Sequence, residues 1–410
     1  MAKITPFRAH RPPRGKAPLV SSRSYVTYEK ESLRYKLEHN PFTYLHVINP
    51  DSGVDPENEA IEDKFKRVRK TFDQFVEDGH LLRDEKKSFY LYKQVKGEHV
   101  YTGVICGVHI DEYVNGKVKI HEHTLTAREE MFKKYLLQTG VNAEPVLLTY
   151  HHNDAIDALL AEVMQERSEY EFASTDGASH YMWVVSDEEL IAQLTKHFKE
   201  VDSLYIADGH HRTASSRLLA EELNEKRGEG AHSYFMSYLI SDQSIHIYDF
   251  NRLITTIGDV SEAEFLKNIE PSFDVHILSE NEVNELHAHL IKLYMSGKWY
   301  GLSFKNERVF EHVVHGLDCE ILNNYILEPV LGITDLKTDK RVDFMAGPEG
   351  IEGIEKAVDS GKFQLAFVLN PVQIDELKAV ADANLIMPPK STYVEPKLRS
   401  GLTIYDLFEE

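Results

Sequence analysis

Apolar side chains recur at Ile61, Phe65, Val68, Phe72 and Phe75, a spacing that places them on one face of a helix over residues 57–78. The same periodicity predicts helices at 29–38, stopped by Asn40-Pro41, and at 127–138, 154–166, 187–200 and 213–227. Further along it predicts helices at 262–269, 280–295, 318–331, 350–361 and 373–382. Short apolar or alternating runs predict strands at 43–48 (TYLHVI), 88–93, 101–110, 146–150, 181–185, 203–207 and 364–369. Runs at 235–240 and 246–250 are expected to pair antiparallel, and 299–304 with 308–313 as a hairpin. Strands and helices mix without strict βαβ alternation and without an internal repeat. That points to an α/β fold with a mixed sheet (α+β) and not to a doubly wound one. Changes in pattern divide the chain into regions 1–100, 101–255 and 256–410.

Composition narrows the class. The hydrophobic fraction is 42% and the charged fraction 28%, the balance of a folded protein. A net charge of −21 repels nucleic acid and anionic membrane surfaces, so neither is expected as a partner. Cys106 and Cys319 are the only cysteines and form no CxxC pair, so no thiolate metal site or disulfide framework is implied. No apolar run approaches the ~20 residues of a membrane span. The first fifteen residues are basic without an apolar stretch, which makes the cytoplasm the expected compartment.

Against this acidic background one short segment stands out. Leu204-Tyr205-Ile206-Ala207 reads as a strand, Asp208-Gly209 as a turn, and His210-His211-Arg212 as the opening of a helix. Free N–H groups and the positive dipole end at a helix start attract anions. Gly209 allows close approach of a ligand, and two histidines and an arginine add donors for phosphate oxygens. Asp208 could cap the helix, hold a metal or accept a proton. The chain has no G-x-x-x-x-G-K-[ST], no G-x-G-x-x-G and no H-R-D, which suits a small phosphate donor better than a standard nucleotide site.

The string Asp208-Gly209-His210-His211-Arg212-Thr213-Ala214 resembles the signature of free-serine kinases built on the ParB/sulfiredoxin-like fold. Most of the chain is similar to the prokaryotic family known as domain of unknown function 1015. The matching stretches are 41–50 (PFTYLHVINP), His121-Glu122, Glu144 to Tyr150, Thr338 to Phe344 and Met387 to Gly401. The resemblance implies a ParB/sulfiredoxin-like core with additional N- and C-terminal α/β parts. It further implies phosphoryl transfer to the hydroxyl of free L-serine, pyrophosphate-dependent, with the reverse reaction on phosphoserine also open. Near residue 23 the sequence reads Arg23-Ser24-Tyr25-Val26 where the family pattern has Pro-Pro-Tyr-Asp, so an acid expected there is missing.

The expected site follows. Asp208, His210, His211 and Glu122 are candidate catalytic residues, with Asp208 also a candidate ligand for Mg²⁺. Gly209, His210, His211, Arg212 and Thr213 would bind phosphate. The tail 387–401 carries Lys390, Lys397 and Arg399 against a single acid, Glu395, so Lys390 and Arg399 join the phosphate group while Ser391 and Thr392 would contact substrate. Asn142 and Glu144 precede a strand and would either reach substrate or close a turn. His121 and His123 would share a strand face with Glu122 opposite. If the tail completes the pocket, truncation before Met387 would abolish activity and leave the rest folded. Two other readings stay open, a ParB-like regulator binding nucleotide or phosphoserine without turnover and a metal-dependent phosphatase. The expected partners are serine and a phosphate donor, and a homodimer is allowed.

Overall fold

Two long runs, Phe89–Lys96 and His99–His109, fold back on each other, with Tyr90 opposite Ile105 and Lys96 opposite His99. In the computed structural model, which describes residues 2–49, 59–285, 287, 289–305 and 310–409, this hairpin belongs to a nine-stranded mixed sheet. In chain order the strands are β1 (Ile4–Thr5), β2 (Phe89–Lys96), β3 (His99–His109), β4 (Val118–Lys119), β5 (Val146–Tyr150), β6 (Tyr170–Ala173), β7 (Ala178–Val185), β8 (Leu204–Asp208) and β9 (Tyr234–Ser241). Across the sheet they lie β4-β8-β5-β9-β3-β2-β7-β6, with β1 added beside β3. β8 is parallel to β4 and β9 to β5; the other pairs are antiparallel. Every residue of β5 is buried, which explains its unbroken apolar sequence.

The longer helices of this part of the chain are α1 (Lys30–His39), α2 (Ile61–Glu77), α3 (Thr126–Thr139), α4 (Asp154–Val163), α5 (Glu188–Lys199) and α6 (His210–Arg227). α2 buries Phe65, Val68, Phe72 and Phe75, each worth about 1.5–3 kcal/mol. α3 packs against both α2 and α6.

The chain divides into two units. Unit 1 comprises residues up to Ile245 together with those from Pro396 on, and unit 2 is His246–Glu395. The regions read from the sequence are drawn differently: residue 100 lies inside the β2–β3 hairpin, and the tail beyond 395 is part of unit 1's core. Leu402, Ile404, Tyr405 and Leu407 are buried, Ile404 exchanges backbone hydrogen bonds with His10, and the rings of Tyr405 and Phe7 stand 4.8 Å apart. A truncation before Met387 would therefore open the core of unit 1 instead of leaving it folded.

Unit 2 is built on a six-stranded antiparallel sheet of β10 (Phe250–Ile254), β11 (Phe273–Ile277), β12 (Leu290–Met295), β13 (Lys298–Phe304), β14 (Val342–Ala346) and β15 (Leu365–Val368). Their order is β11-β13-β12-β15-β10-β14. Its longer helices are α7 (Glu262–Ile269), α8 (Gly350–Asp359) and α9 (Ile374–Asp382), and α8 sets Ile354 and Val358 against Leu253, Ala366 and Val368.

Several expectations need correction. Residues 45–48 form a helical turn, Leu45–Ile48, not a strand; with Leu45, Val47 and Ile48 all buried, periodicity cannot separate the two. Among the described residues of 280–295 only Glu280–Val283 is helical, and Leu290–Met295 is β12. Its partner is β13, joined through Ser296 and Gly297 at φ 50° and 72°, the two positive values a tight hairpin turn requires. The expected hairpin with 308–313 is absent from the described part of that segment, and residues 308 and 309 lie outside the described residues, as do 57, 58, 286 and 288 of other expected elements. β9 pairs with β3 and β5, while His246–Tyr248 pairs with Tyr393–Glu395. The helix at 318 changes from α to π winding at Asn323 and runs only to Leu327, short of the expected 331. No helix among the described residues is long and apolar enough to cross a membrane.

Candidate functional site

β8 pairs with β5 through Tyr205↔Thr149 and Ile206↔Leu148, then resumes at Asp208↔Leu147, leaving Ala207 as an extra residue. Such a bulge bends the strand and re-aims the next side chain, here Asp208. Gly209 follows at φ 108°, and α6 begins without a side-chain cap. A Cβ on Gly209 would lie 3.1 Å from the Arg212 guanidinium, so both the backbone angle and the close approach call for glycine. Asp208 stands immediately before the first turn of α6, at the positive end of the helix dipole.

That carboxylate is half-exposed, at 45%, and carries two cations on one oxygen: Arg212 Nη2 at 3.2 Å and Lys397 Nζ at 3.9 Å. The other arm of Arg212, Nη1, donates to the carbonyls of Glu144 (3.2 Å) and Pro145 (2.6 Å). Glu144 in turn accepts from the Ser400 hydroxyl at 2.8 Å, and Ser400 exchanges backbone hydrogen bonds with Ser22. Three distant stretches, 144–145, 208–212 and 397–400, thus meet at the start of α6.

The histidines serve a different purpose from the one their residue type suggested. His210 is turned inward; its Nε2 accepts from the His121 N–H at 3.4 Å, so Nδ1 holds the proton and faces Glu122 at 3.6 Å. The His121 ring stands perpendicular to it at 4.5 Å. Burial holds His210 well below the usual histidine value and lowers His121 to about 4, the latter against the opposing pull of the Asp208 charge. Both rings are neutral near pH 7. His211 Nε2 accepts from the Leu125 N–H at 3.1 Å. The two histidines therefore fasten the 121–125 loop to α6. That loop is irregular, not a strand, with His121 buried and Glu122 and His123 exposed.

Other candidate residues separate. Thr213 is buried and donates to the Gly209 carbonyl, so its hydroxyl is turned away from an anion above the turn. Asn142 is buried and its oxygen accepts from the Glu144 N–H, the turn-closing alternative. Arg399 pairs with Asp176 at 3.4 Å, and Lys397 is the tail cation beside Asp208. Lys390, Ser391 and Thr392 belong to unit 2, where Lys390 Nζ lies 5.2 Å from the centre of the Phe250 ring and Ser391 donates to the Pro388 carbonyl. Arg341 and Asp339 pair with each other at 2.6 Å. Sequence reasoning missed the roles of Lys397 and Ser400; the basic excess of the tail was the available signal.

Among the described residues, one group of His, Asp and Glu side chains is close enough to hold a metal ion: His109, Asp111 and Glu229. His109 Nδ1 accepts from the Asp111 N–H, and its Nε2 lies 3.8 Å from the Glu229 carboxylate, beyond hydrogen-bond reach.

No curated protein matches the chain. Among solved structures it is similar to a free serine kinase in complex with AMP, at 13% identity over 73% of this chain and 91% of that one, with a TM-score of 0.36. A mutant free serine kinase with ADP shares 14% identity over 75% and 95%, at 0.38. C-terminally truncated SbnI from Staphylococcus aureus shares 13% over 75% and 90%, at 0.38. Scores of this size transfer no residue roles. A family model described as protein of unknown function (DUF1015) matches residues 4–320, which include the β8–α6 turn and the loop at 121–125. Over that span, most of its length, the chain belongs to the DUF1015 family.

Proposed function

We propose that unit 1 transfers a phosphoryl group from a small donor such as pyrophosphate to the hydroxyl of free L-serine. The observation that carries this reading is the Asp208 carboxylate, held between Arg212 and Lys397 at the uncapped start of α6. Phosphoryl transfer asks for positioning and charge neutralisation more than for covalent chemistry. The N–H groups of a helix start, a guanidinium and an ammonium suit phosphate oxygens. Asp208 is the adjacent group able to take the serine proton as the serine Oγ–P bond forms and the donor's P–O bond breaks. Arg212, already tied to Glu144 and Pro145, fixes the geometry of the turn. Glu122 orients His210 and so holds the loop beside it.

Mg²⁺ fits the donor set. It commonly takes one or two carboxylates and completes its shell with phosphate oxygens and water, and Asp208 is a half-exposed carboxylate at the anion site. Asp208 would hold it, with Glu122 as second candidate, and the ion would supply charge neutralisation. The test is phosphorus NMR of the full chain with Mg²⁺ and serine, offered pyrophosphate, ATP or ADP in turn. Phosphoserine is the expected product. Inorganic phosphate alone would identify a phosphatase, and binding without turnover a regulator.

A further inference from the structure

Unit 2 encloses a cavity of about 270 Å³, near the lower end of small-molecule sites. Leu317, Leu369 and Val372 give it an apolar wall. One end is acidic. The Asp318 side chain, 9% exposed, accepts from His289 Nδ1 at 3.2 Å and from the Asn370 amide. Glu376 lies on the same wall, and burial raises its carboxyl, with the Asp318 charge adding to the rise against a hydrogen bond from the Gln373 N–H. His289 adopts φ 58°, a backbone state rarely taken by a residue other than glycine.

Phe250, Cys319 and Ser391 also line the cavity, and a buried cation stands behind the first two. Arg252 sits on the same strand as Phe250, is fully buried, and donates through Nη1 to the Phe250 carbonyl. Its Nε and Nη2 have no hydrogen-bond partner among the described residues, and its charge bears on the Cys319 thiol. The guanidinium lies over the Phe344 ring at 5.5 Å, but a buried cation without an acid is costly, and a negative group brought close to it would relieve it.

We propose that this cavity binds a free α-amino acid. Its ammonium group lies between Asp318 and Glu376, its carboxylate faces Ser391 and the wall backed by Arg252, and its side chain rests on Leu317, Leu369 and Val372. A bare metal ion fits less well, because His289, Asp318 and Glu376 are not among the side-chain groups close enough to share one. This site belongs to unit 2 and does not depend on the reaction proposed for unit 1.

The test uses the full chain. Every proteinogenic α-amino acid is screened by thermal shift, and the best is titrated calorimetrically beside its decarboxylated amine and its deaminated acid. One amino acid should bind 1:1, with each analogue weaker by about 10-fold or more, the scale of a charge-assisted hydrogen bond. Glu376→Gln, which keeps an oxygen for the Gln373 N–H, and Asp318→Asn should each weaken it about 10-fold, with circular dichroism unchanged. The proposal is overturned if no amino acid shifts the melting point, if the amine or the acid binds as well as the amino acid, or if binding survives both substitutions.

Discussion

Replacing Asp208 by asparagine removes one charge and little volume, and two energy scales separate its possible roles. The carboxylate is 45% exposed, with its cations at 3.2 and 3.9 Å. Ion pairs that exposed are worth about 0–1 kcal/mol each, and the asparagine oxygen still accepts from Arg212, so stability should fall by less than about 2 kcal/mol. Loss of a general base lowers kcat by about 10²-fold, or about 2.7 kcal/mol in the barrier. KM for serine should move little, because the proton is taken in the transition state and not on binding. The assay is steady-state formation of phosphoserine by both proteins, with thermal melts followed by circular dichroism. A variant whose kcat stays within about threefold of the parent, at unchanged melting temperature, would refute the reasoning. Asp208 would then serve only the helix start, and the base would be sought at Glu122 or Glu144.

Lys397→Gln should raise KM for the phosphate donor by about 10-fold with little change in unfolding free energy, since the lysine is partly exposed and its contact with Asp208 is long; an unchanged donor KM would place the tail outside the site. Gly209→Ala should cost about 1–2 kcal/mol in urea unfolding, from the φ of 108° and the Arg212 guanidinium 3.1 Å from the new Cβ. The pH dependence follows from His121, which stays neutral in the folded protein down to about 4 while its unfolded form takes a proton near 6.5. The unfolded state therefore binds more protons in that window, and stability falls as pH drops from 6.5 to 4, by about 3 kcal/mol for this residue alone. Urea titrations at several pH values should show that loss, and His121→Asn should reduce it.

The strand–turn–helix at 204–227 was legible because each local signal agreed: an apolar run, an Asp-Gly turn and helical spacing beyond it. The mixed sheet was legible in class, since no strict alternation of strand and helix occurs. Its pairings were not, because β9 lies between strands more than eighty residues upstream, and Tyr393–Glu395 finds its partner at His246–Tyr248. Short fully apolar segments such as 45–48 carry no period to read. Ser296-Gly297 was an available turn signal whose weight was missed. At the site, the sequence supplied residue types but not their directions. His210 and His211 have the right chemistry for phosphate, yet their Nε2 atoms are engaged by backbone N–H groups of the 121–125 loop. The tail's basic excess was visible, whereas the choice of Lys397 over Arg399 depends on a contact across nearly two hundred residues.

Unit 1 is closed by residues that the ribosome makes only after all of unit 2. Ile404 bonds to His10, Tyr405 packs on Phe7, and Glu409 pairs with Arg8. At about 5–20 residues per second, the 246–395 segment holds a nearly complete unit 1 open on the ribosome for roughly 8–30 seconds. During that wait the groove that later receives 402–407 is unfilled apolar surface. Unit 2 can fold first as an uninterrupted stretch of chain, and the final closure then joins sequence positions about four hundred residues apart, a contact that loop entropy makes slow to find. Nascent chains released before residue 396 should therefore be the species that chaperones capture.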